Sequence, residues 1–171
     1  MSDDKTTHQE RLERNQHLAG RTGQPLKKDH DGDGTEGDCR AFGFLRGIRD
    51  RADAIEFRKI DGNSIWFPYG WLGTWKFNPS EGLLLKFSGD LVYLVLIKGS
   101  NLDMPLAETG INLTRAGLQR HRIVWVREMT KEEIQEMGET GPTVDSIEIG
   151  EFESNEELRV WVGERAPALL H

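Results

Sequence analysis

Apolar positions are sparse before Cys39 and dense after it. Up to that point Met1, Leu12, Leu18, Ala19 and Leu26 are the apolar residues, and all fourteen aromatics lie from Phe42 onward. A stretch that buries little apolar area cannot offset an ordering cost of roughly 1–2 kcal/mol per residue of backbone. Residues 1–38 are therefore expected to form a disordered polar and acidic tail. Gln9 to Ala19 can fluctuate as helix, but its polar surface gives it nothing to pack on.

From Ala54 the pattern becomes that of short strands. Ala54 to Ile60 begins with period-2 alternation, Asp61-Gly62-Asn63 tolerates positive φ, and Ser64 to Phe67 reads as the returning strand. Pro68 cannot donate to a ladder, so that strand ends there or lies on an edge. Gly73 to Phe77 predicts a third strand, closed by the turn signal Asn78-Pro79-Ser80-Glu81-Gly82. Leu83 to Phe87 and Leu91 to Lys98 flank Ser88-Gly89-Asp90 as a further hairpin. Leu91 to Ile97 does not alternate, which predicts that both its faces are covered. Arg122 to Arg127 and Val144 to Phe152 complete the strands.

Helical signals are short. Thr130 with Glu133 forms a capping box, with Ile134 and Met137 at i and i+3 and Gly138 as the stop. Ser154 with Glu157 repeats the device before Leu158, Trp161 and Val162, with Gly163 following. Thr114 to Gln119 predicts one helical turn. Cys39 to Ala52 is ambiguous, because Phe42, Leu45 and Arg49 suit a helix while Gly43 and Gly47 weaken it. The fold class that follows is mainly β, α+β at the margins. Its expected core is a five-strand antiparallel meander curled into a small, partly open barrel, extended by two strands, with short helices covering its ends. Residues 39–171 would form this single domain.

Charge divides the chain in three. Residues 1–38 carry nine acids and six bases, net −3; residues 39–128 nine and thirteen, net +4; residues 129–171 eleven and three, net −8. The expectation is that the basic meander packs against the acidic helix–strand–helix at the end through partly exposed ion pairs, each worth roughly 0–1 kcal/mol. The longest apolar run, Leu91 to Ile97, is far short of the roughly 20 residues that span a bilayer, and the first residues do not read as a secretory leader. One cysteine, Cys39, fits a reducing compartment, so the expected location is the cytoplasm, with no membrane partner.

Three groups of residues carry candidate chemistry. Asp29, Asp31 and Asp33 sit in Asp29-His30-Asp31-Gly32-Asp33-Gly34, the opening of a calcium loop, but the twelfth position is Arg40 instead of a bidentate glutamate. An acidic linker without metal is the expectation, and no cofactor is expected. Arg46, Arg49 and Arg51 form one basic group; Arg115, Arg120, His121 and Arg122 form another. If both meet on one face, Arg46, Arg49, Arg120 and Arg122 can hold a phosphate backbone and exposed aromatics can stack bases. Trp66, Tyr69, Trp71 and Trp75 crowd one short segment; two of its three tryptophans are expected in the core and one on the surface as a partner-binding aromatic. His121 is the one histidine between the tail and His171. A hydrolase would have to use it, yet no Gly-x-Ser-x-Gly elbow is present.

Phe67-Pro68-Tyr69-Gly70-Trp71-Leu72-Gly73, with Phe77 to Phe87, Gly99-Ser100-Asn101-Leu102 and Gly117 to Arg122, resembles a bacterial protein family with no assigned function. The resemblance covers roughly residues 42–152 and implies no ligand, activity or catalytic residue. The reading of the residues is a non-catalytic binding or structural module with a protein partner. An RNA- or DNA-binding small barrel and a small hydrolase near His121 are the alternatives, and a dimer seeded by an apolar strand stays open.

Overall fold

The computed structural model of the protein describes residues 36–171. Among these residues nine strands run in chain order: β1 (Glu36–Asp38), β2 (Phe42–Leu45), β3 (Ala54–Arg58), β4 (Ser64–Pro68), β5 (Leu72–Asn78), β6 (Gly82–Ser88), β7 (Val92–Lys98), β8 (Ile123–Arg127) and β9 (Ser146–Phe152). Two helices follow β8 and β9, α1 (Lys131–Met137) and α2 (Asn155–Arg165). The strands form two sheets, one of five in the order β1-β2-β8-β3-β4 and one of four in the order β5-β6-β7-β9. Pairing is antiparallel throughout except where β3 runs parallel to β8.

The expected barrel is not formed: the sheets do not close on each other, and the meander is interrupted between β4 and β5. The break has a local cause. Pro68 ends β4, the edge strand, and Tyr69–Trp71 then makes a 3₁₀ turn that carries the chain into the second sheet. Tyr69 is buried, and its phenol donates a 2.8 Å hydrogen bond to the carbonyl of Ile123, which anchors the corner to β8. Burial pushes that phenol above its ordinary range.

The two sheets face each other across one core. Phe42, Phe44, Ile55, Phe57, Phe67, Ile123 and Val126 come from the five-stranded sheet; Leu83, Leu85, Phe87, Val95, Ile97 and Ile147 come from the other. The Phe67 and Phe87 rings stack across the gap at 4.6 Å and 17°. Sheet-on-sheet packing of this kind needs alternation on each strand, and β3 supplies it with Ile55 and Phe57 inward, Glu56 and Arg58 outward.

β6 and β7 break the alternation because the four-stranded sheet is covered twice. Val95 and Ile97 enter the shared core, while Leu84, Leu94 and Leu96 pack on the opposite face against Phe152, Val162, Ala166 and Leu169. The sequence pattern predicts short helices covering the ends of the strands, whereas the C-terminal helix lies on a sheet face. It runs to Arg165 and not to Gly163. Lys98 Nζ donates to the Arg165 carbonyl at 3.0 Å and Lys76 Nζ to the Leu169 carbonyl at 3.1 Å, so two sheet lysines satisfy the carbonyl-rich end of this segment.

Two segments needed tertiary context. Phe42–Leu45, the ambiguous stretch, is a buried strand in which a Cβ at Gly43 would overlap the Trp125 indole. Glu36–Asp38, read with the tail, pairs with β2 as β1, because Gly37 lets it lie against the Phe44 ring. Its order comes from backbone pairing and from a neighbour's apolar surface. The capping box at α1 is complete: Glu133 N–H donates to Thr130 Oγ1 at 3.2 Å and Thr130 N–H to Glu133 Oε2 at 2.9 Å. The predicted turn near Thr114 is a π-type turn at Leu113–Gly117 continued by a 3₁₀ turn at Leu118–Arg120.

Candidate anion-binding site

One end of the five-stranded sheet is built from the β2–β3 loop and the turn that leads into β8. Their backbones are tied together, Leu45 N–H to the Arg122 carbonyl at 2.8 Å and Ala52 N–H to the His121 carbonyl at 2.7 Å. The two basic groups of the sequence therefore do meet, though not all their members serve alike. Arg122 is buried, 7% exposed, with Nε donating to the Leu45 carbonyl at 2.9 Å and Nη2 to the Arg46 carbonyl at 2.7 Å. Desolvation, then the Arg120 and Arg51 charges, hold its guanidinium below the usual arginine range; Asp50 partly offsets them. It is a strut inside the loop.

Arg49, Arg51 and Arg120 are exposed on the two segments that meet here, and the Arg51 and Arg120 charges act on that strut. Arg51 Nη1 is steadied by the Ile48 carbonyl at 3.0 Å and the Asp50 carbonyl at 2.9 Å, which leaves its other donors free of those bonds. His121 stands beside them at φ 54°, a left-handed conformation that is uncommon outside glycine and asparagine. Its imidazole stacks on the Tyr69 ring at 4.4 Å and 19° while the residue stays exposed. No hydrogen bond joins it to a serine or aspartate among the described residues, so the hydrolase alternative gains no support.

Four other arginines are ion-paired, while Arg46, Arg115 and Arg159, like those of this end, form no ion pair among the described residues. Arg40 meets Glu136 at 2.8 Å, Arg58 meets Glu56 at 2.7 Å, Arg127 meets Glu133 at 2.7 Å and Arg165 meets Glu148 at 2.9 Å. Among the described residues no carboxylate forms an ion pair with Arg49, Arg51, Arg120 or Arg122. Among the described residues the ion pairs between the acidic C-terminal part and the basic middle are those of Arg40 and Arg127, and α2 lies on the other sheet.

The remaining predicted residues scatter. The Arg46 side chain turns back towards Gly37 and lines a cavity of about 240 Å³ with Asp38, Cys39 and Phe44. Burial raises the Cys39 thiol above its ordinary range, which keeps it protonated near neutrality. Trp66, 59% exposed, stands on the outer face of the five-stranded sheet. In the adjoining register Trp125 lies next to Glu56, with the Arg58 guanidinium 4.7 Å above its ring. Trp71 stacks on Tyr93 and covers Gly89, and Trp75 is half-buried beside Phe77. None of the three clustered tryptophans is fully buried, so the expected split of two in the core and one outside is not what the fold adopts. Asp29, Asp31 and Asp33 lie outside the described residues; among those described, no group of three acidic, histidine or cysteine side chains is placed to hold a metal. No helix among them is long and apolar enough to cross a membrane.

Sequence reasoning missed a second concavity. A cleft of about 540 Å³ opens between β5 and the long β7–β8 connection, floored by Trp75 and Phe77 and edged by Asp103, Asn112, Thr114 and Arg115. Arg115, grouped with Arg120 by sequence proximity, belongs to this cleft. No pattern in the chain announces it, because its polar residues come from an irregular loop. The chain matches no family model, no curated protein and no solved structure.

Proposed function

We propose that the protein is a non-catalytic binding module that engages a phosphate-bearing strand of nucleic acid at the arginine-lined end of its five-stranded sheet. The observation that carries this reading is the placement of exposed Arg51 and Arg120 beside the buried Arg122, with Arg49 exposed on the same loop and none of the four in an ion pair among the described residues. Guanidinium forks match phosphate geometry, and like charges that Asp50 only partly offsets hold their places at a cost that an anion relieves. The exposed imidazole of His121, braced by Tyr69, adds a flat ring on which an unstacked base can rest. Of the two classes of partner read from sequence, this favours nucleic acid over protein.

The test is fluorescence anisotropy with labelled single-stranded RNA and DNA. Three phosphate contacts give a slope of log K against log salt near −2, hence about twentyfold weakening between about 50 and 200 mM. The double variant Arg51→Ala/Arg120→Ala leaves one contact and should cut that weakening to about threefold. Salt-independent binding, or a double variant that binds like the parent, overturns the proposal. Capture of a protein from native lysate that survives nuclease, with no oligonucleotide binding, would instead assign the module to a protein partner.

A further inference from the structure

The cleft between β5 and the β7–β8 connection has a chemistry unlike that of the arginine end. Its floor is aromatic: Trp75 and Phe77 are alternate residues of β5, so both project to the same side, where they pack partly against the core and stay half-buried. Its rim carries one anion and one cation, Asp103 and Arg115, both exposed. These two do not neutralise each other, since no ion pair joins them among the described residues.

The backbone segments that carry them are tied together. The Asn112 amide, 9% exposed, accepts from Ala116 N–H through Oδ1 at 2.9 Å and donates through Nδ2 to the Asp103 carbonyl at 3.0 Å. One side chain thus ties the segment that carries Asp103 to the turn that carries Arg115. A rim with opposite charges not joined to each other, on linked segments over an apolar floor, is suited to a molecule that is itself dipolar. The volume, about 540 Å³, lies within the usual range for small-molecule sites of roughly 300–1,000 Å³.

We propose that this cleft binds a small zwitterion with an apolar body, its ammonium group directed to Asp103, its carboxylate or phosphate to Arg115, and its body resting on Trp75 and Phe77. An ammonium in this place also gains from the ring faces, which attract cations. A lone anion would meet Asp103 and a lone cation would meet Arg115, so each is disfavoured against a molecule carrying both. Free amino acids with large side chains and quaternary-ammonium zwitterions share this chemistry, and the two sources differ in how much they draw on the rings.

Calorimetric titration of the full chain with L-leucine, L-phenylalanine, glycine betaine and phosphocholine separates them, with isopentylamine and 4-methylpentanoate, leucine lacking one charged group each, as single-charge controls. At least one zwitterion should saturate, with both controls at least about tenfold weaker, as expected for one lost charge-assisted contact. Asp103→Asn and Arg115→Gln should each weaken that zwitterion by a similar factor while leaving the melting temperature unchanged, because both side chains are exposed. Trp75→Leu should weaken betaine or phosphocholine more than leucine if the quaternary ammonium is the recognised group. The proposal is overturned if no zwitterion saturates by about 10 mM, roughly ten times the dissociation constant of a weak site near 1 mM. It is also overturned if a control binds as well as the zwitterions, or if neither Asp103→Asn nor Arg115→Gln alters binding.

Discussion

Arg122 offers a sharp test because sequence proximity groups it with residues whose role is different. Replacing it by Met keeps much of the stem and removes the two hydrogen bonds to the Leu45 and Arg46 carbonyls. Bonds from a charged donor are worth about 1.5–3 kcal/mol each. Relief of a buried cation from the Arg120 and Arg51 charges returns part of that, and the loop carbonyls can recover some water. The expected net loss is about 2–3 kcal/mol, or roughly 6–10 °C in Tm for a body of this size. Urea unfolding should show a lower midpoint with an unchanged slope. Arg120→Ala, by contrast, should stay within about 0.5 kcal/mol of the parent, as surface changes usually do. Arg122→Lys cannot reproduce the fork and should fall between. An Arg122→Met protein as stable as the parent that had lost nucleic-acid binding would refute the reasoning and make Arg122 a direct contact.

Other outcomes follow from the same geometry. Phe87→Ala removes a ring stacked on Phe67 between the sheets and should cost about 3–5 kcal/mol by chemical denaturation. Glu128 accepts the Ile60 and Ile147 N–H groups through its two oxygens, both at 2.7 Å, and so joins the sheets; Glu128→Ala should cost about 1–3 kcal/mol and raise amide exchange at those two residues first. The Arg127 guanidinium and the Thr130 N–H hold the Glu133 carboxyl at about 2. A depressed carboxyl stabilises the fold above its unfolded value near 4.3 and loses that contribution as pH falls through about 2, so acid unfolding of Glu133→Gln should be flatter across this window. A slope across this window as steep as the parent's would contradict it.

Strand positions were legible because turn chemistry and alternation are local. Asp61-Gly62-Asn63, Asn78 to Gly82 and Ser88 to Asp90 fixed three hairpin connections, and Thr130 with Glu133 fixed the start of α1. Which strands pair was not legible where the partner is distant. β8 inserts between β2 and β3, and its parallel register with β3 leaves no mark on either segment. Pro68 announced an edge, yet not that the chain would leave the sheet there. In the site, clustering along the chain brought Arg49, Arg51 and Arg120 into view. It could not tell the buried Arg122 from its exposed neighbours, nor foresee that Arg46 and Arg115 turn elsewhere. Side-chain direction in loops follows tertiary contacts, and a net-charge sum carries none of them.

The central claim is that the free arginines at one end of the five-stranded sheet are the contact surface. The most direct measurement is a ¹⁵N–¹H NMR titration of the arginine side chains and the His121 backbone amide with a short single-stranded oligonucleotide. The account predicts shifts concentrated on Arg49, Arg51, Arg120 and His121, with Arg40, Arg127 and Arg165 unmoved. Shifts centred on Arg58, over the Trp125 ring on the outer sheet face, or none at the loop end, would contradict it.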